Sequence, residues 1–332
     1  LHTHSNRSDG GSSPENVCRR YRDAGYDFIS LTDHFLERYD FPITDTRAFR
    51  TDGFTTIIGA ELHTDLTEFG HMWHILAVGL PDNFAPPGEN ETAAQMANRA
   101  MDAGAYAAVA HPAWYGITER DIEAIGMVDA IEVYNGVAID HNGHPDSWEL
   151  TEIILGRGHR YNVCATDDYH GTNGRHDFGR GWVQVRAESL EPEALLAALK
   201  AGHYYSSTGP AIYDIQRDGT KLLLRSSPAQ RVFLTGKAPA SIAIEGRTDG
   251  EFEIDIDDPL LVEVDPADGE LRGQGGEKLF GLGAGDQLLE NPLDERDEIA
   301  LDRDLAFFTV KTAVRAGKHQ LDECRGTFLD LG

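Results

Sequence analysis

Short apolar runs alternate with amphipathic stretches along the chain up to about residue 186. The apolar runs predict β-strands at residues 27–34, 54–64, 74–80, 105–112, 130–136 and 162–170. The stretches between them have helical spacing, and we predict helices at residues 14–24, 92–103, 118–125 and 146–157, with another at 191–201. Strands separated by helices are typical of a parallel sheet, and this many units favour a closed or nearly closed α/β barrel.

The pattern changes after Pro210. From there to residue 332, short β-like runs at 221–225, 232–235, 241–245 and 251–256 are separated by turns rich in Gly, Asp and Pro. We therefore predict a barrel domain over residues 1–210 and a smaller, β-sandwich-like accessory domain over residues 211–332. The Gly- and acid-rich residues 265–295 are predicted to form long loops.

The chain is strongly acidic. Its 332 residues include 56 Asp and Glu against 29 Lys and Arg, which gives a net charge of −27. A surface this negative repels nucleic-acid phosphates, so broad nucleic-acid binding is not expected. The acidity fits either adaptation to salt or a simple need for solubility. No apolar run reaches the roughly 18 residues that a membrane-spanning helix needs.

Cysteine usage bears on the compartment. Cys18, Cys164 and Cys324 are widely spaced and odd in number, which is unlike a disulfide framework. This pattern favours a reducing compartment, so we expect a cytoplasmic protein.

Nine His, Asp and Glu side chains stand near the ends of successive predicted strands. They are His2, His4, Asp9, His34, Glu61, His74, His111, Asp168 and His170. The first two and the last two are each two residues apart, so on a strand each pair projects to one face. Neutral imidazoles and carboxylates are the ligands of Zn, Mn and Fe, and α/β barrels carry their active sites at strand ends. The joint pattern therefore predicts a metal centre, although packing explains any single member better.

The motifs HTHSNRSDG, TDH, GAE, HILAVG, AHP and DYH occur in this order. They resemble the PHP (polymerase and histidinol phosphatase) superfamily from Leu1 to about Tyr205. The resemblance implies a distorted (β/α)7 barrel that binds two or three divalent ions, which would be Zn, Mn or Fe. The implied ligands are His2, His4, Glu61 and Asp168 for the first ion, Glu61, His74 and His111 for the second, and Asp9, His34 and His170 for the third.

The same resemblance implies a hydrolase in which a hydroxide that bridges the metals is the nucleophile, with catalytic roles for Glu61, Asp168 and His170. We take a phosphoesterase of small phosphorylated metabolites as the leading hypothesis. The segment GHYYSSTGP and the β-rich residues after it are similar to the CehA/McbA-type branch, which leaves an ester, carbamate or amide hydrolase open. A non-catalytic metal-binding interaction module is the third hypothesis, and the complete ligand set argues against it.

Three arginines lie in loops beside the predicted ligands. Arg7, Arg175 and Arg180 could clamp a phosphate with paired hydrogen bonds, or could serve only solvation and loop-ordering ion pairs. Asp33 could orient a ligand imidazole or merely cap a strand end. His63 could line the pocket, but exposure on the surface is the favoured interpretation, and we expect Asp167 to point away from the ligands.

Overall fold

A computed structural model describes residues 1–172, 174–218, 221–227, 229–235, 241–245, 249–253, 261–266 and 307–310. The first seven strands are β1 (Phe28–Leu31), β2 (His34–Phe35), β3 (Thr55–Leu66), β4 (Met72–Val78), β5 (Tyr106–Val109), β6 (Ala130–Asn135) and β7 (Asn162–Thr166). The helices are α1 (Pro14–Asp23), α2 (Ala93–Asp102), α3 (Pro112–Tyr115), α4 (Glu119–Ile125), α5 (Ala138–His141), α6 (Trp148–Gly156) and α7 (Pro192–Lys200). Short 3-10 helices cover Glu37–Tyr39 and Arg47–Phe49.

These seven strands form one sheet in a mixed α/β arrangement. The order is β1–β3–β4–β5–β6–β7, with β2 paired alongside β3. Strands β1 and β2 are parallel to β3, and β5, β6 and β7 are parallel to one another. Strand β4 is antiparallel to both β3 and β5, so the prediction of a uniformly parallel sheet is wrong there. The connection of residues 67–71 explains this, because it is too short for the crossover that parallel neighbours need.

The amino-terminal residues join the two edges of the sheet. Thr3 forms a parallel bridge with Tyr169, which lies just beyond β7, and the His4 N–H donates to the Tyr169 carbonyl at 2.7 Å. On the other side, the Thr32 N–H donates to the Thr3 carbonyl at 2.8 Å, just beyond β1. The segment that carries the HTH motif therefore closes the curled sheet, as a distorted barrel requires.

Local sequence signals explain where the helices begin. Helix α1 follows Ser13, whose hydroxyl accepts a hydrogen bond from the Asn16 N–H. Helices α2 and α4 begin with capping boxes that start at Thr92 and Thr118. The five predicted helices are confirmed, with ends within two residues of the predicted bounds. None of the helices in the described part of the chain has the length and apolarity to cross a bilayer.

Strands β3 and β4 separate an apolar core from a polar interior. Leu62 and Ile75 are opposite each other and fully buried in a cluster that includes Met96 of α2 and Ile122 of α4. The next cross-strand pair, His63 and His74, projects to the other face of the sheet because strand side chains alternate. The apolar face thus anchors the barrel wall, and the opposite face presents imidazoles to the interior.

The remaining strands form two further sheets. They are β8 (Trp182–Val185), β9 (Tyr204–Ser207), β10 (Ile212–Asp218), β11 (Lys221–Ser226), β12 (Ala229–Thr235), β13 (Ser241–Glu245), β14 (Asp249–Glu253), β15 (Leu261–Pro266) and β16 (Phe307–Val310). One sheet has the order β13–β12–β15–β16–β9–β8, and the other has β10–β11–β14. Because the first includes strands from both sides of residue 210, the division into two domains at that residue stays a prediction. Of the predicted loops at 265–295, all but the last two residues of β15 lie outside the described residues.

The core on β3 predicts a stability difference between two leucines of the same strand. Leu62→Ala should destabilise the protein by about 2–5 kcal/mol, because it leaves a cavity at a fully buried position. Leu66→Ala is the matched control, since Leu66 is 60% exposed and its truncation should change stability by less than about 0.5 kcal/mol. Urea unfolding measures both free energies, and equal losses would contradict this description of the core.

Candidate metal centre

The nine predicted ligands all meet in the barrel interior, in four overlapping groups whose ligand atoms lie within 4.8 Å of one another. Glu61, His2, His4 and His34 each belong to two of these groups. The two carboxylate oxygens of Glu61 face different imidazoles, and its side chain has no exposure to solvent. These four groups are His2–His4–Glu61, His2–His111–Asp168, His34–Glu61–His63–His74 and His4–Asp9–His34–His170. Within them, the donors of the three predicted ions are called the first, second and third group.

The first group surrounds one point with four donor atoms. The Nε2 atoms of His2 and His4 lie 3.2 and 3.0 Å from Asp168 Oδ1. Both also lie 3.6 Å from Glu61 Oε2. All four atoms are buried, and none has a hydrogen-bond partner among the described residues. Buried polar atoms normally have a partner, and one cation between these four would satisfy them all. The donor set therefore fits a divalent metal ion.

The second group uses the other oxygen of Glu61. Glu61 Oε1 lies 2.7 Å from His74 Nδ1 and 3.2 Å from His111 Nε2. His111 and Asp168 have positive φ values of 29° and 50°, which non-glycine residues rarely adopt. Such backbone conformations persist where the surroundings enforce them and are concentrated at functional sites.

The third group lies on the solvent side. Asp9 Oδ2 is 3.5 Å from His34 Nε2 and 3.4 Å from His170 Nε2, and the Asp9 side chain is 39% exposed. The loop that carries Asp9 is fixed by Asp33, which accepts hydrogen bonds from Ser5 N and Oγ, both at 2.7 Å. Asp33 also accepts from Ser8 Oγ at 2.8 Å, and Ser8 Oγ lies 3.5 Å from His4 Nδ1, so Asp33 orders this loop and makes no direct contact with an imidazole in the described hydrogen bonds.

His63 is an additional member of the cluster. The expectation that it is exposed is wrong, since only 2% of the residue is accessible. Its Nε2 atom lies 2.9 Å from His34 Nδ1 and 3.6 Å from Glu61 Oε2, and its ring is 4.2 Å from that of His74. The signal for this position was present in the sequence, because His63 follows Glu61 by two residues on one strand and therefore shares its face.

Glu132 supports the centre and was missed by the sequence analysis. It is fully buried, and its Oε1 atom lies 3.0 Å from His2 Nδ1 and accepts from Thr166 Oγ1 at 2.5 Å. Its Oε2 atom accepts from the His111 N–H at 2.6 Å. A metal-binding histidine commonly uses its second ring nitrogen in this way, which fixes its tautomer and orientation. The only signal was a carboxylate inside the otherwise apolar start of β6.

The electrostatics leave several ligands in metal-binding form. Burial, together with charge on His170 and His34, lowers the pKa of His4 to about 3, and burial lowers the pKa of His74 to about 3. Burial alone would raise the pKa of Glu61, but the surrounding imidazoles, led by His34, hold it well below its usual range. Burial also opposes protonation of His34, yet the Glu61 and Asp9 carboxylates raise its pKa to about 10. Neutral imidazoles beside an ionised carboxylate are the forms that bind a metal ion.

The three predicted substrate arginines have different surroundings. Arg7 is exposed in the first loop. Arg180 donates from Nε to the His176 carbonyl at 2.6 Å, and Arg175 Nη2 lies 3.4 Å from His141 Nδ1. Their role in substrate binding stays a prediction.

Asp167 belongs to the scaffold. Its carboxylate accepts hydrogen bonds from the Tyr21 hydroxyl at 2.6 Å and from the Arg180 N–H at 2.5 Å. It is absent from the four ligand groups, which agrees with the expectation that it points away from them.

Comparison with known proteins gives only distant similarities. No family model and no curated protein matches this chain. Eight chains of solved structures match it. One, from Bifidobacterium adolescentis, is described as a candidate metal-dependent phosphoesterase, and is 14% identical with a TM-score of 0.38 over 52% of this chain and 88% of that chain. Another, an amidohydrolase from Chromobacterium violaceum with bound sulfate and no metal, is 16% identical with a TM-score of 0.39 over 51% and 86%. Similarity at this level settles no chemistry, which has to be inferred from the residues of this chain.

The contact between Glu132 and His2 predicts an effect on metal affinity. Glu132→Gln should weaken binding of the first ion by about 10- to 100-fold, because the neutral amide orients His2 less strongly. Calorimetric titration with Zn²⁺ measures the affinity, and Glu152→Gln on the exposed side of α6 is the control. If both variants bind zinc as tightly as the wild type, Glu132 has no supporting role.

The third group predicts a change in metal content. Asp9→Ala should remove about one ion per chain, because the imidazoles nearest to Asp9 are those of His34 and His170 in the third group, at 3.5 and 3.4 Å, whereas His4 of the first group lies farther away at 3.8 Å. Elemental analysis after loading with Mn²⁺ and desalting gives the count. The control is Asp23→Ala, whose side chain is 60% exposed at the end of α1. An unchanged count in Asp9→Ala would reduce the centre to two ions.

Proposed function

We propose that this chain is a metal-dependent hydrolase of the PHP type, and that it cleaves phosphoesters of small metabolites. The observation that supports the proposal best is the convergence of four buried donor atoms, in which the Nε2 atoms of His2 and His4 both lie 3.0–3.6 Å from one oxygen of Glu61 and one of Asp168. A second group of donors meets the other oxygen of Glu61, so one carboxylate can hold two ions close together. Paired ions of this kind are typical of phosphatases and related hydrolases.

When bound, such ions lower the pKa of a shared water and polarise the oxygen of the group under attack. The side chains of the protein determine where such ions would lie. Glu61 is held by contacts with His34 and His74 at 2.5 and 2.7 Å, so its two oxygens are directed to different groups. Hydrolysis then forms a bond between water oxygen and phosphorus, breaks the ester P–O bond, and leaves the water protons on the alcohol and phosphate products.

An anionic substrate is compatible with a net charge of −27. Bound cations dominate the field within a few ångströms and reverse its sign there. Three divalent cations would suit the several oxygens of a phosphoryl group better than the single oxygen of a neutral carbonyl. Arg7, Arg175 and Arg180 remain the proposed substrate donors because they lie in the two loops that follow ligand residues.

The tail motif gives no specific support to the carbamate or ester alternative. In GHYYSSTGP, the Ser207 hydroxyl donates to the Pro210 carbonyl at 2.7 Å, and Ser206 donates to the Val163 carbonyl at 2.8 Å. The hydroxyls of Tyr204 and Tyr106 are 2.6 Å apart. These contacts hold the motif against β7 and β5, so the described structure gives it a packing role.

A substrate panel tests the proposal. Metal-loaded protein should hydrolyse phosphomonoesters or phosphodiesters in Mn²⁺ or Zn²⁺, and a chelator should abolish the activity, because no other cluster in the described residues offers this donor set. Release of the alcohol product, measured with and without metal, provides a readout for both classes of ester. Glu61→Gln is the negative control, because it replaces the shared carboxylate with a neutral amide. Turnover of aryl esters or carbamates alone, without inhibition by phosphate, would show that the phosphoester proposal is wrong.

A further inference from the structure

The metal centre opens to solvent on one side. Among the nine ligands, the side chains of Asp9, His34 and His74 are 39%, 12% and 13% exposed. The other six are at most 8% exposed. A substrate must therefore reach the centre across the edge formed by Asp9, His34 and His74.

Tyrosine rings stand beside both imidazoles of this edge. The Tyr39 ring lies 6.4 Å from the His34 ring and is nearly parallel to it, at 13°. The Tyr115 ring lies 4.6 Å from the His74 ring at 35°. Both tyrosines are half-buried, so each ring packs on protein with one part and meets solvent with another.

The two tyrosines are fixed to the ligands by the chain itself. Tyr39 lies in the 3-10 helix just after His34, and Tyr115 ends helix α3, which begins directly after His111. Segments that follow barrel strands on the active-site face commonly determine what the site accepts. Their position is therefore that of substrate-contacting residues rather than of the barrel core.

The hydroxyl of Tyr115 differs from those of Tyr21 and Tyr161 in its hydrogen bonding. Tyr21 and Tyr161 donate to Asp167 and to the Gly126 carbonyl. The Tyr115 hydroxyl has no hydrogen-bond partner in the described ranges, and its ring also lies 5.5 Å from the His111 ring. The Tyr115 hydroxyl therefore makes no hydrogen bond that stabilises the described fold, and it stays available to a bound molecule.

A positively charged side chain lies beside this edge. The Arg38 guanidinium lies over the Tyr39 ring, 4.7 Å from its centroid, and the residue is exposed. An arginine held on an aromatic face keeps its donors free for an anion. Ring surface and positive charge therefore occur together at the opening.

We propose that Tyr39 and Tyr115 determine substrate specificity by binding a planar aromatic ring attached to the phosphoryl group. This inference rests on the proposed function and narrows it to phosphoesters whose leaving group carries such a ring. The phosphoryl group lies toward the ligand cluster, and the ring of the leaving group lies between the two tyrosines. Aliphatic leaving groups of the same size gain no comparable ring contact.

Two matched phosphonates test the inference without turnover, since their P–C bond is not hydrolysed. Phenylphosphonate and cyclohexylphosphonate have the same charge and similar size, but only the first is planar and aromatic. Calorimetry with Mn²⁺-loaded protein should show phenylphosphonate binding about 2- to 12-fold more tightly, the range that aromatic pairing provides. In Tyr115→Leu and in Tyr39→Leu the ratio of the two dissociation constants should fall towards one, with metal content unchanged.

Tyr115→Phe is the control, because it keeps the ring and should keep the preference. Equal binding of both phosphonates to the wild type would overturn the inference, and so would a preference that survives both leucine variants. Either result leaves the phosphoesterase proposal standing. If neither phosphonate nor inorganic phosphate binds to the metal-loaded protein, the phosphoesterase proposal is wrong and this inference fails with it.

Discussion

Glu61 places a carboxylate with no solvent exposure in the middle of the barrel, and the surrounding structure depends on how its charge is satisfied. An isolated buried charge is very costly, so it must be paired with cations or hydrogen-bond donors. Imidazoles from several different segments meet its two oxygens, and His34 and His74 come within 2.7 Å. Protonation of His34, whose pKa is raised to about 10 by the Glu61 and Asp9 carboxylates, helps to satisfy the charge, and metal ions would do so more completely.

The segment that closes the barrel also supplies two of the imidazoles of the site. His2 and His4 reach Glu61 only because the segment that carries them lies between Tyr169 and Thr32. The Glu132 carboxylate contacts Nδ1 of His2 and so fixes its ring, and Asp33 fixes the loop that carries Asp9. A barrel that lost this segment would lose its contacts at both edges of the sheet and two imidazoles together.

Much of the barrel was predictable because its sequence signals are local. Apolar runs and capping residues located the strands of the first sheet and five helices, and spacing at strand ends located nine of the ten residues that meet in the cluster. The antiparallel β4 was missed because pairing direction depends on the short connection after Leu66, which the apolar pattern does not report. Glu132 was missed because a single carboxylate inside an apolar run shows its purpose only once His2 is placed beside it. His63 was misplaced although it follows Glu61 by two residues on β3 and therefore shares the face of the strand that carries that ligand.

Anomalous diffraction from crystals loaded with Mn²⁺ tests the metal centre most directly. The account predicts one strong peak among His2 Nε2, His4 Nε2, Asp168 Oδ1 and Glu61 Oε2, with metal–ligand distances of about 2.0–2.3 Å. It also predicts a second peak on the Oε1 side of Glu61, toward His74 and His111. Fully loaded crystals with no peak at the four buried atoms, or with manganese bound only elsewhere, would contradict it.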